Sequence, residues 1–326
     1  MQQADHLKNF NNEFVAMLNA RTLHYLAEVI RKGSVRRAAA SLGVDATAIS
    51  RRIKALEDDI GLQVCERTTY GMRATEAGEL LLRHYQSRRT AEEAVMSRLD
   101  AMRGLHTGQV RIAVGEGFIA DLIAAPLQSF LARHPGIALE VNMAGMQEAV
   151  QLLKGYDTDI ALLYAPLHNS DLSAHVETRH PLHLIVSPSH ALARSTHPLE
   201  LADIQKYRLA LMGNQFGMGL LISMLAQQEG VQLAPVLRTN SVAVSRQFVL
   251  SGAGVTFMPE ITVQEDVQRG NLVVLPMRNP LLAGARAQIA SLADRSLTVA
   301  TQAFLDHLRR HMRFFREDAP QRHHMA

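Results

Sequence analysis

The 326 residues are 47% apolar, enough for a sizeable core, and a chain of this length suits two or three domains. No run approaches the ~18 uninterrupted apolar residues of a membrane helix, and the single Cys65 excludes an internal disulfide or a cysteine-clustered metal site. Net charge is +3, yet residues 21–75 hold ten Lys/Arg against six Asp/Glu, so a basic segment is joined to a nearly neutral remainder and suits a polyanionic partner.

In chain order, "MQQADHLKNFNNEF" lacks the apolar centre of a signal peptide, which points to the cytoplasm. Leu23, Leu26, Ala27 and Ile30 predict a helix over 20–32, closed by Gly33. Ser34 caps a short helix running to Leu42. Asp45 caps another over 46–60. "GLQVCERTTYGMRAT" is extended, with Gly71 at a hairpin tip, and Thr75 caps a long helix over 76–102. Beyond "GLHTG" the texture changes. Strands are expected at "QVRIAVG", "IALEVNM", "DIALLY", "LHLIVSP", "RLALM" and "GVTFMP". Helices are expected at 121–135, 146–155, 218–229, 242–251 and 298–312. This alternation predicts a mostly parallel α/β sheet. The last residues, 313–326, read as a flexible tail, in which His323 and His324 are solvated and not metal-ligating.

Two short helices joined at Gly43 form a helix-turn-helix unit. Ala39 is small where the second helix crosses, and Leu42, Val44, Ile49 and Ile53 fill the space between. The restart at Asp45 exposes a helix N-terminus able to enter a major groove. Thr47, Ser50, Arg51 and Lys54 share the face opposite Ile49, Ile53 and Leu56. Arg can read guanine bidentately, and hydroxyls reach bases or phosphates. "ERTTYGMRAT" would be a β-wing bringing Arg67 and Arg73 near phosphate.

The stretch "SVRRAAASLGVDATAISRRIKALEDDIGLQVCERTTYGMRATEAG" resembles the N-terminal domain of LysR-type transcriptional regulators, through "GS", "AA..L.V", "S..I..LE..LG...ERT" and "T.AG". "ARHPGIALEV", "DTDIALLY", "SGAGVTFMP" and "RGNLVVLPM" also resemble segments of that family, so the resemblance spans about residues 18–312. It implies a winged helix-turn-helix domain at 18–75 and a linker and dimerisation helix at 76–106. A periplasmic-binding-protein-like α/β effector domain of two subdomains follows at 107–312, the second roughly 177–270. The implied function is sequence-specific transcription regulation without catalysis, answering to a small-molecule effector, as a homodimer or homotetramer, with RNA polymerase a further candidate partner. Ser50 and Arg51 match recognition-helix positions, Thr47 stands where a serine is common, and Ser34, Lys54, Arg67 and Arg73 complete the expected DNA contacts. Ala46 stands where a base-contacting glutamine is frequent, and Tyr70 where a basic wing-tip residue is.

In the long helix, Leu81, Tyr85, Val95, Leu99 and Met102 form a partial stripe, suited to its own domain or to a partner helix. The resemblance implies the partner.

"VGEGFIADL" offers Gly115, Gly117 and Ala120 between a strand and a helix, close to a dinucleotide fingerprint, with Glu140 at about the spacing of a ribose ligand. A nicotinamide-dependent oxidoreductase is therefore the alternative. Glu140 falls inside its strand, however, and no catalytic acid/base set, GxSxG or HExxH follows. No cofactor is expected. Helix N-termini facing a cleft would instead suit a carboxylate, such as a small organic acid or amino-acid-like effector. The resemblance places the cleft walls at Gly117 and Phe118, Gly145 and Met146, Asn214, Gln215 and Phe216, and Thr239, Asn240 and Ser241.

Overall fold

A computed structural model describes residues 19–103 and 107–316. The chain divides into two compact units, Met1–Glu93 and Ala94–Ala326.

The first unit opens with three helices, α1 (Ala20–Lys32), α2 (Val35–Leu42) and α3 (Ala46–Ile60). Each begins on a side chain that accepts a backbone N–H: Asn19, Ser34 and Asp45. Leu23, Leu26 and Val29 of α1 meet Ala38 and Ala39 of α2 and Ile49, Ile53 and Leu56 of α3 in one core. Each fully buried Leu or Ile there contributes about 1.5–3 kcal/mol. Gly43 ends α2 at φ +64°, a left-handed conformation strained for any residue with a Cβ. The hairpin is β1 (Cys65–Thr68) against β2 (Gly71–Ala74), antiparallel. Its tip is Thr69–Tyr70, so Gly71, expected at the tip, instead opens the second strand. A Cβ on Gly71 would lie 2.7 Å from the Gly33 carbonyl, which accepts the Met72 N–H at 2.9 Å. The wing is thereby tied to the turn between α1 and α2.

The long helix α4 runs Glu76–Met102, and the division between the units falls within it. The Thr75 hydroxyl accepts the Gly78 N–H at 3.1 Å. The expected stripe splits. Tyr85 is buried, and Leu81 packs beside it on the core of the first unit. Val95, Met96, Leu99 and Met102 remain exposed.

The second unit has two subdomains. The first is a five-stranded sheet in the order β4-β3-β5-β12-β6, formed by β3 (Gly108–Val114), β4 (Ile137–Met143), β5 (Ile160–Tyr164), β6 (Leu172–Arg179) and β12 (Arg286–Leu292). β3 pairs in parallel with β4 and β5, whereas β12 runs antiparallel to β5 and β6. The second subdomain holds an antiparallel sheet, β10 (Thr256–Pro259)-β7 (Leu182–Val186)-β11 (Val273–Leu275). A parallel pair, β8 (Ala210–Met212) and β9 (Leu237–Thr239), lies in the same subdomain. Among these strands parallel pairing is thus confined to β3–β5 and β8–β9, a narrower role than the sequence pattern suggested. The second subdomain also shifts from 177–270. β6 stays in the first sheet through Arg179, and β11, Met277 and Leu282 belong to the second core.

The helices of this unit are α5 (Glu116–Ala124), α6 (Pro126–Arg133), α7 (Met146–Lys154), α8 (Leu201–Ile204), α9 (Gly217–Glu229), α10 (Val242–Leu250), α11 (Glu260–Gln268), α12 (Pro280–Ala283) and α13 (Val299–His311). The single helix expected over 121–135 is two, because Pro126 lacks an N–H and forces Ala125 out of helical geometry. The expected tail at 313–326 is corrected at its start. Arg313–Phe315 form a 3-10 turn whose Phe314 and Phe315 are buried, since their rings complete the core over Phe118. His323 and His324 lie outside the described residues.

Candidate nucleic-acid interface and ligand cleft

In α3, Ile49, Ile53 and Leu56 face the core, which leaves Thr47, Ser50, Arg51 and Lys54 exposed at intervals of three and four, on one face. Three of these four residues differ in what already holds them. Thr47 donates its N–H at 2.7 Å and its hydroxyl at 2.5 Å to Asp45 Oδ1, so its hydroxyl already serves the cap. Those two donors hold the Asp45 carboxyl below the usual carboxylate range. Lys54 Nζ lies 2.9 Å from Asp58, which raises the ammonium pKa; both side chains are solvated, so the pair yields readily to a phosphate. Arg51 makes no side-chain hydrogen bond or ion pair among the described residues, and its guanidinium is free to reach a base edge.

Ser34 sits at the start of α2, its hydroxyl 3.5 Å from the Arg37 N–H, at the limit of a cap bond. Arg67 and Arg73 lie exposed on the two wing strands, and Arg73 is directly opposite Glu66. Tyr70 is 94% exposed at the wing tip. Seven residues expected at DNA thus lie at the surface of the first unit or at its margin, Ser34 being half-buried.

In the second unit, a cavity of about 50 Å³ opens where the two subdomains face each other. Gly117, Phe118, Met146 and Phe216 of the expected walls line it. The Phe216 ring lies over Gly145, 3.0 Å from where a Cβ would stand. The other expected walls do not reach the cavity. Asn214 and Gln215 are exposed, and the Asn214 amide donates to Ser223 Oγ at 3.2 Å. The Thr239 hydroxyl accepts the Ser241 N–H at 3.1 Å, and Asn240 is exposed. Further lining comes from Leu162, Leu163, Tyr164, Met212, Met218 and Phe314, which gives a predominantly apolar wall. Burial pushes the Tyr164 phenol up, and its O–H donates to the His180 carbonyl at 2.8 Å.

The residue that sequence reasoning missed is Glu116. It stands in the first turn of α5, and its carboxylate crosses to the second subdomain. There it accepts the Ser241 hydroxyl at 2.9 Å, the Val242 N–H at 2.5 Å and the Ala243 N–H at 3.2 Å. In sequence it reads as an acid favouring its own helix N-terminus, and nothing local marks its partner 125 residues away. A second link closes the same cleft: the Gln147 N–H donates to the Gln215 carbonyl at 3.2 Å.

The dinucleotide alternative finds no support in this geometry. Glu140 pairs with Arg111 in the middle of the β3–β4 ladder, away from the strand end where a ribose would sit.

Residues 103–313 match the family model described as the LysR substrate binding domain. Residues 20–79 match that of the bacterial regulatory helix-turn-helix protein, lysR family. The HTH-type transcriptional regulator CbbR of Rhizobium meliloti (strain 1021) is 28% identical over 295 residues, covering 87% of this chain and 90% of that protein. A full-length OxyR variant from Pseudomonas aeruginosa superposes with a TM-score of 0.68 at 18% identity, covering 93% of this chain and 99% of that one. The regulatory domain of Synechocystis PCC6803 CcmR, in complex with 2-PG, superposes with a TM-score of 0.55 at 22% identity, covering 62% and 96%.

Proposed function

The chain belongs to the LysR family of DNA-binding transcriptional regulators with an effector-binding domain, and from that premise we propose how its residues divide the work. Helix α3 enters the major groove, where Arg51 and Ser50 read base edges and the Thr47 methyl packs against them. Lys54, Arg67, Arg73 and the Ser34 hydroxyl hold phosphates and set the register. The observation that carries this assignment is the outward face of α3, with Arg51 unpaired and exposed opposite a fully buried apolar face.

The unit acts as a homodimer or homotetramer, because one helix-turn-helix has a small interface and two half-sites multiply its affinity. The exposed Val95, Met96, Leu99 and Met102 of α4 supply the apolar seam. The cleft of the second unit takes a small-molecule effector and passes its binding to the DNA, with RNA polymerase a further partner. The protein works in the cytoplasm and performs no catalysis. No helix among the described residues is long and apolar enough to cross a membrane.

Selection of bound sites from random duplex DNA, followed by footprinting, tests the assignment. Two related half-sites, separated by a whole number of helical turns, are expected. Binding with no preferred sequence would overturn the base-reading role of α3.

A further inference from the structure

The cleft already contains a carboxylate. Ser241 Oγ and the first two N–H groups of α10 converge on Glu116, and they are the groups with which a helix N-terminus takes an anion. The bonds are charge-assisted, and none of these donors is left over for a second acid. At the neighbouring helix start the Gln147 N–H is bonded to the Gln215 carbonyl. Among the described residues no Lys, Arg or His lines the adjoining cavity; its walls are Phe118, Met146, Met212, Phe216, Met218 and Phe314, beside Glu116 itself. An incoming anion would find the α10 N-terminus filled and a like charge in contact range.

We propose that Glu116 is a specificity-determining residue that excludes anionic effectors, so that this cleft takes an uncharged, largely apolar small molecule. The proposal rests on the sensor function above and replaces the organic acid expected from the helix N-termini alone. Selectivity of this kind works through a repulsive group as much as through an attractive one. The cavity of about 50 Å³ is small, and the effector gains room by moving the Phe216 ring off Gly145.

The test compares acetate with its uncharged isostere acetamide on the full chain, wild type and Glu116→Ala. A ligand that binds the folded state raises the melting temperature by mass action. In Glu116→Ala, acetate occupies the vacated position and stabilises at a concentration at least tenfold below that of acetamide; in the wild type acetate has no advantage. Should Glu116→Ala fold poorly, refolding yield in acetate against acetamide gives the same comparison. Equal effects of acetate and acetamide on the variant, or equal stabilisation of wild type and variant by acetate, would overturn the proposal. A panel of larger carboxylates paired with their amides then reads the effector class, with wild-type hits expected among the amides. A carboxylate that binds the wild type more tightly than its amide, and is weakened by Glu116→Ala, would also overturn it. Acetate rescue is read from stability alone, so failure of exclusion is distinguishable from failure of the cleft to influence DNA.

Discussion

The rings of Phe118 and Phe314 lie 4.5 Å apart at 54°, joining the first helix of the effector unit to a turn near the end of the described chain. Phe314 is buried, its N–H donates to Asp121 at 3.0 Å, and its carbonyl accepts from His180 and Thr178. Phe314→Ala is therefore expected to cost about 3–5 kcal/mol, measured by denaturant unfolding of the full chain. A variant with wild-type stability would show that this turn merely rests on the core.

Arg51 and Lys54 should separate in DNA binding. Arg51→Ala is expected to lose about 1–3 kcal/mol on the selected site and to relax preference at one base pair. Lys54→Ala should weaken specific and random DNA alike and reduce the salt slope by about 1. Titrations at several salt concentrations distinguish them; equal losses from Arg51→Ala on both DNAs would reassign it to phosphate.

The exposed apolar residues of α4 predict a change in assembly. Leu99, 43% exposed, is not needed by its own unit's core, so Leu99→Arg should leave each unit folded while weakening self-association. Sedimentation and two-half-site binding should fall together. A monomeric variant that still binds a two-half-site operator normally would remove this seam from the account.

His307 gives a pH signature. Desolvation, with the neighbouring His311 charge next, pushes its imidazole down to about 4. Its Nε2 lies 3.0 Å from the Pro126 carbonyl and 2.9 Å from Ser129 Oγ. The unfolded group titrates near 6.5, so between about 6.5 and 4 the unfolded chain binds more protons. Stability therefore falls as pH drops through that window. His307→Asn should flatten the wild-type profile there, as read from melting temperature; an unchanged profile would locate the acid sensitivity elsewhere.

The sequence by itself determined the first unit nearly residue by residue. Asn, Ser and Asp caps, glycine stops and apolar spacing all act within a turn or two of where they stand, so α1, α2, α3 and α4 have the expected limits. The outward face of α3 followed from Ile49 and Ile53, because a helix with one side fixed has its other side fixed too. The β-strands of the effector unit were less legible. β6, "LSAHVETR", is a polar edge strand, and β12 joins the middle of a sheet whose other strands lie more than a hundred residues earlier. Only the tertiary structure decided that Glu116 meets Ser241, that Phe314 covers Phe118, and that Asn214 and Asn240 stay outside the cavity. The first contact depends on how the two subdomains face each other and the second on how a turn some two hundred residues on closes over the first subdomain's core; no local hydrogen bond or periodicity carries either distance.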